Sequence, residues 1–151
     1  MGETTNTVRR MHVLLVEDNP GDVDLVIDAI RDFPCDVSVA SDGLEAIDFL
    51  RRKGRHTGAR EPDVVLLDLN LPKLSGREVL SIVKADPGLK HIPVVILSSS
   101  HARLDLLESY RLHANCFVTK PVDLHQFLAA VGAVAQFWLG VVKLPGDAAT
   151  W

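Results

Sequence analysis

The chain has 151 residues, 47% of them apolar and 24% charged, with a formal net charge of −4. That length and balance fit one globular domain with its own core and exclude a fibrous or wholly disordered chain. The acidic excess sets aside a protein built mainly to hold nucleic acid, and no apolar run approaches the roughly 18 residues that span a bilayer.

Residues 1–10 are polar, lack the apolar stretch of a secretory leader, and are expected to form a disordered tail. Cys35 and Cys116 are far apart, with no Cys-x-x-Cys spacing, so a redox pair or zinc site is not indicated and a reduced, cytoplasmic protein is expected. The first β-branched run, Val13-Leu14-Leu15-Val16, predicts a strand that delivers Glu17-Asp18 at its end. Asn19-Pro20 reads as a turn, after which Val23, Val26, Ile27 and Ile30 fall at helical spacing. Asp36 to Ala40 predicts a short second strand, and Ser41-Asp42-Gly43 caps a helix with Leu44, Ile47 and Leu50 on one face. Arg51 to Pro62, glycine-containing and basic, reads as an exposed loop.

Val64-Val65-Leu66-Leu67 predicts a third strand ending at Asp68. The run from Asn70 to Gly76 is rich in turn residues, Val79, Leu80 and Val83 mark a third helix, and Asp86-Pro87-Gly88 stops it. Val94-Val95-Ile96-Leu97 delivers Ser98, and Leu104, Leu107 and Leu112 supply a fourth helix. Cys116-Phe117-Val118 leads to Lys120-Pro121, where the proline invites a cis peptide aiming the lysine back over the sheet. A last helix from about Asp123 carries Phe127, Leu128, Val131, Val134, Ala135 and Trp138 as an apolar stripe.

Strand and helix thus alternate five times, the pattern of an α/β, doubly wound, five-stranded parallel sheet. Right-handed crossovers with one reversal of direction give the strand order 2-1-3-4-5. The reversal falls between strands one and three, so the crevice at the carboxyl ends gathers Glu17, Asp18, Asp68, Ser98 and Lys120.

Three carboxylates close together cannot all ionise comfortably without a cation, and an oxygen-rich set without histidine suits Mg²⁺. Asp18 and Asp68 would supply side-chain oxygens, Asn70 its backbone carbonyl, and Glu17 would hold a metal-bound water. A carboxylate beside Mg²⁺ is also a nucleophile toward phosphorus, and Asp68, which ends an apolar strand and precedes a loop, suits that role. Lys120 would neutralise the phosphoryl oxygens, while the Ser98 hydroxyl and the backbone N–H after Asp68 would donate hydrogen bonds to them. Register selects Ser98 over its neighbours Ser99 and Ser100. The six histidines are scattered without metal-ligand spacing, and Cys116 reads as core filler.

The segments Val16-Glu17-Asp18-Asn19-Pro20, Leu67-Asp68-Leu69-Asn70-Leu71-Pro72 and Thr119-Lys120-Pro121, in order and correctly spaced, resemble a bacterial response regulator receiver domain over residues 11–138. The resemblance implies the flavodoxin-like receiver fold, Mg²⁺, and transfer of phosphate to Asp68 from a phosphohistidine of a sensor histidine kinase. It further implies that the hydroxyl at Ser98 and the aromatic ring at Phe117 form the conformational switch, although Phe117 lacks the hydroxyl of the more usual tyrosine.

A narrower likeness, carried by Asp18-Asn19-Pro20-Gly21-Asp22, by Ala114 to Asp123 and by the Phe137-Trp138-Leu139 ending, is to single-domain regulators of phytochrome-type histidine kinases. His113 departs from the glycine usual at its position. Relatives of that kind carry no output domain and dimerise through their ends. Here the apolar run Phe137, Trp138, Leu139 and Val142, leading into a tail over 139–151, implies a two-fold homodimer. Other functions fit less well. A phosphohydrolase forming an aspartyl phosphate would need an acid two residues past the nucleophile, where Asn70 stands. A nucleotide binder would need a Gly-rich loop in place of Glu17-Asp18-Asn19, and a degenerate scaffold would not keep the full site.

Overall fold

A computed structural model of the protein describes residues 10–98 and 116–133. Five strands, β1 (Met11–Val16), β2 (Cys35–Ala40), β3 (Val64–Asp68), β4 (Val94–Ser98) and β5 (Cys116–Thr119), form one sheet. All neighbours pair in parallel, in the order β2-β1-β3-β4-β5. The helices are α1 (Pro20–Ile30), α2 (Gly43–Leu50), α3 (Gly76–Ala85) and α4 (Leu124–Ala133). The helix expected around Leu104, Leu107 and Leu112 lies outside the described residues, as do the N-terminal tail up to residue 9 and the C-terminal extension.

The period-two pleat divides the apolar runs between two cores. Met11, Val13 and Leu15 of β1, with Val64, Leu66, Val95 and Leu97, pack on one face against Val26 and Ile30 of α1 and Phe127 and Ala130 of α4. Leu14 and Val16, with Val65, Leu67, Val94 and Ile96, pack on the other against Ile47 and Leu50 of α2 and Val79, Leu80 and Val83 of α3. Both faces of β1, β3 and β4 are covered, which is why these strands read as unbroken apolar runs. Each fully buried leucine contributes about 1.5–3 kcal/mol of transfer free energy.

Side-chain caps set where the helices begin, Asp123 at α4 through the Gln126 N–H among them. Asn19 accepts from the Asp22 N–H, so Asn19-Pro20, expected as a turn, forms the cap and first residue of α1. Asp42 caps α2 through the Glu45 N–H. At α3, Ser75 and Glu78 form a reciprocal capping box. The basic segment after α2 contains a short 3-10 turn, Gly54–His56, within the expected loop.

Two expected core residues face outward. Leu44 is exposed because the buried arc of α2 runs through Gly43, Ala46, Ile47 and Leu50 and leaves the next position to solvent. Leu128 is likewise exposed, since Phe127 and Ala130 define the inward side of α4. Two glycines permit close approaches. A Cβ at Gly43 would lie 2.1 Å from the Leu74 carbonyl oxygen, and one at Gly76 would lie 2.3 Å from the Asp68 carbonyl oxygen and 2.6 Å from the Leu69 Cα. Only glycine lets the start of α3 close against the end of β3.

Candidate phosphoacceptor site

Parallel strands in this order end on one edge, and the residues just past those ends meet there. Glu17 follows β1 and is 2% exposed, with its backbone N–H bonded to the Ala40 carbonyl of β2. Asp68 closes β3 and is 4% exposed, while Asp18 faces solvent. One carboxylate oxygen from each of Glu17, Asp18 and Asp68 lies within 4.8 Å of the others. The expected acidic trio is therefore assembled. Its donors are all hard oxygens with no nitrogen or sulfur among them, which suits Mg²⁺ or a similar divalent ion.

Lys120 reaches this cluster from beyond β5. Its backbone N–H bonds the Ser98 carbonyl, which fixes the start of the side chain against the end of β4, and the Lys120–Pro121 peptide is cis. The Nζ atom donates to Glu17 Oε1 at 2.6 Å, Asp22 Oδ2 at 3.1 Å and Asp68 Oδ2 at 3.2 Å. An ammonium has three protons, and these three carboxylates accept all of them. The remaining oxygens of the buried acids are also occupied, Glu17 Oε2 by the Asn19 N–H and Asp68 Oδ1 by the Asn70 N–H.

The electrostatics follow from burial and crowding. Burial pushes the Glu17 carboxyl up to about 7; the Lys120 ammonium opposes this and the adjoining Asp68 carboxylate adds to it. Burial alone would push the Lys120 ammonium down, but Glu17, Asp22 and Asp68 outweigh it and hold the ammonium above the ordinary lysine value. At neutral pH the buried pocket is thus short of positive charge, the condition under which a divalent cation binds well.

Ser98 is fully buried at the end of β4, one residue past the position opposite Asp68, and is itself opposite Thr119. Phe117 lies in β5 opposite Ile96, and its side chain falls outside the described residues. Ser99 and Ser100 and the expected dimer residues Phe137, Trp138, Leu139 and Val142 are outside them as well.

Asp22 was not among the expected site residues. It lies in the first turn of α1, where acidic residues are common for capping and dipole reasons, and nothing local distinguishes it. Asp22 also lines a cleft of about 220 Å³ with Leu25, Val26, Lys120, Pro121 and Val122. Among the described residues no helix is long and apolar enough to cross a membrane.

Comparison with known proteins agrees with this geometry. The family model of the response regulator receiver domain matches residues 13–132. Response regulator Rcp1 of Synechocystis sp. is 43% identical over 135 residues, covering 88% of this chain and 92% of that one. A Mn²⁺-bound structure of a response regulator Rcp1 superposes with a TM-score of 0.70 at 41% identity, covering 90% of this chain and 99% of that one. The bacteriophytochrome response regulator AtBRR aligns with a TM-score of 0.79 at 46% identity over 86% of this chain and 96% of that one. The phosphorylated cyanobacterial phytochrome response regulator RcpA gives 0.74 at 44% identity over 91% and 100%. The chain belongs to the response regulator receiver domain family and is similar to phytochrome response regulators.

Proposed function

We propose that the protein accepts a phosphoryl group on Asp68 from a phosphohistidine of a phytochrome-type sensor histidine kinase, in the cytoplasm, and signals by a change of conformation. The observation that carries this reading is the convergence of Glu17, Asp68 and Lys120 in one buried pocket, with the Lys120 ammonium 3.2 Å from an Asp68 oxygen. In the transfer, an Asp68 carboxylate oxygen bonds to phosphorus as the N–P bond of the donor breaks, and the bonding pair returns to the imidazole nitrogen. The product is a mixed anhydride on Asp68.

The residues divide that work by position. Lys120 already donates to Asp68 and moves little to donate to the arriving equatorial oxygens. Ser98, buried at the end of the neighbouring strand β4, would donate a second hydrogen bond. Glu17, Asp18, Asp68 and the Asn70 carbonyl would hold Mg²⁺, which when bound supplies positive charge that neutralises the phosphoryl oxygens. Hydrolysis of the anhydride, assisted by the same groups, would return the protein to its resting form. A shift of Ser98 toward the phosphoryl group, linked to burial of Phe117, would carry the signal as a population shift between two packings.

Incubation with a small acyl phosphate donor and Mg²⁺ should place one acid-stable, base-labile phosphate on the protein. Asp68→Asn should abolish it. A label that persists at full stoichiometry in that variant would refute Asp68 as the acceptor. Phosphotransfer from kinases of different sensor classes, compared at equal concentration, tests the phytochrome link, and a faster reaction with an unrelated sensor would overturn it.

A further inference from the structure

Of the three carboxylates on the Lys120 ammonium, Asp22 alone stands outside the Glu17, Asp18 and Asp68 cluster. It is also anchored separately. Its backbone N–H bonds the Asn19 side chain, and α1 is packed on the sheet through Val26 and Ile30. A lysine stem has several rotatable bonds, so two acceptors leave its ammonium free to swing about the line joining them, whereas a third off that line fixes it. From this arrangement we infer that Asp22 is a positioning residue for phosphoryl transfer, holding the Lys120 ammonium against the Asp68 carboxylate from the side of α1.

The inference rests on the phosphoacceptor reading above and adds a residue to it. Asp22 would touch neither the phosphoryl group nor the acyl oxygen and acts only through Lys120. Its side chain is 38% exposed, so solvent screens the pair and limits the effect of losing it. Asp22→Asn keeps the shape and removes the charge. The variant should load phosphate from an acyl phosphate donor roughly two- to five-fold more slowly than the parent at saturating Mg²⁺.

A double-mutant cycle separates positioning from a general effect on the fold. In a Lys120→Ala background the Asp22→Asn change should leave the residual loading rate unaltered. An equal slowing in both backgrounds would overturn the inference. A second measurement needs no phosphate. The Lys120 ammonium resonance should shift, and its exchange with water quicken, in Asp22→Asn but not in Asp24→Asn on the exposed side of the same helix turn. An ammonium signal unmoved by Asp22→Asn refutes the positioning role whether or not the protein takes phosphate. A parent that takes no label while that signal moves sinks the phosphoacceptor reading and leaves the Asp22–Lys120 contact standing.

Discussion

Replacing Glu17 with glutamine removes a buried acid whose ionised form the fold opposes, and the consequence is a change in how stability depends on pH. Glu17 titrates near 7 in the folded protein against an ordinary 4.5 for glutamate. At about 1.4 kcal/mol for each pH unit, that difference corresponds to roughly 3 kcal/mol. Because the folded pKa is raised, the folded state binds more protons than the unfolded chain between those values. The contribution is therefore fully present below pH 4.5 and is lost as pH rises through 7.

The glutamine variant lacks this loss. The exchange also sets an amide NH₂ against the Asn19 N–H that now donates to Glu17 Oε2, a pH-independent cost of about 1 kcal/mol. The observable is accordingly the slope with pH and not the offset. His12, whose pKa burial lowers, titrates in the opposite sense but is common to both proteins and cancels in their difference. Urea unfolding of parent and variant at half-unit intervals from pH 5 to pH 8, with chelator present, measures that difference directly. The parent should lose up to about 3 kcal/mol relative to the variant over the range, and Mg²⁺ added at pH 8 should restore the parent selectively. Parallel profiles for the two proteins would show that Glu17 is not held near 7 by its surroundings.

Gly76→Ala forces a methyl group to within 2.3 Å of the Asp68 carbonyl oxygen, so the start of α3 and the end of β3 must separate. A loss of about 1–3 kcal/mol in urea unfolding is expected, together with slower loading of Asp68, and a midpoint equal to that of the parent would refute the close approach. Trp138→Ala, in the extension expected from the sequence to pair two copies, should lower the sedimenting mass to that of a monomer, and an unchanged mass would remove this region from the interface.

The strands and their order were legible because burial on both faces demands unbroken β-branched runs, and five such runs separated by helical periodicity admit few windings. The site carboxylates and Lys120 were legible for the same reason, since each stands at or just past a strand end. The Ser75-Gly76-Arg77-Glu78 capping signal is also in the chain, beginning inside the turn-rich loop and ending just beyond it. Leu44 and Leu128 share the apolar spacing of the buried stripes yet face solvent, because spacing alone leaves about a quarter turn of freedom in choosing the inward side of a short helix. What decided it was the neighbour each helix met on the sheet.

Amino-acid order by itself determined the parallel α/β class, the set of groups brought to the sheet's carboxyl edge, and the chemistry that set permits. Those follow from local rules, the pleat period, helix caps and the chirality of crossovers, which act on contiguous residues. Tertiary structure alone decided the recruitment of Asp22 to Lys120, the raised pKa of Glu17 and the need for glycine at position 76. Each of these depends on distances between residues that lie from under ten to just over a hundred positions apart, and such distances are set by how helices pack on the sheet.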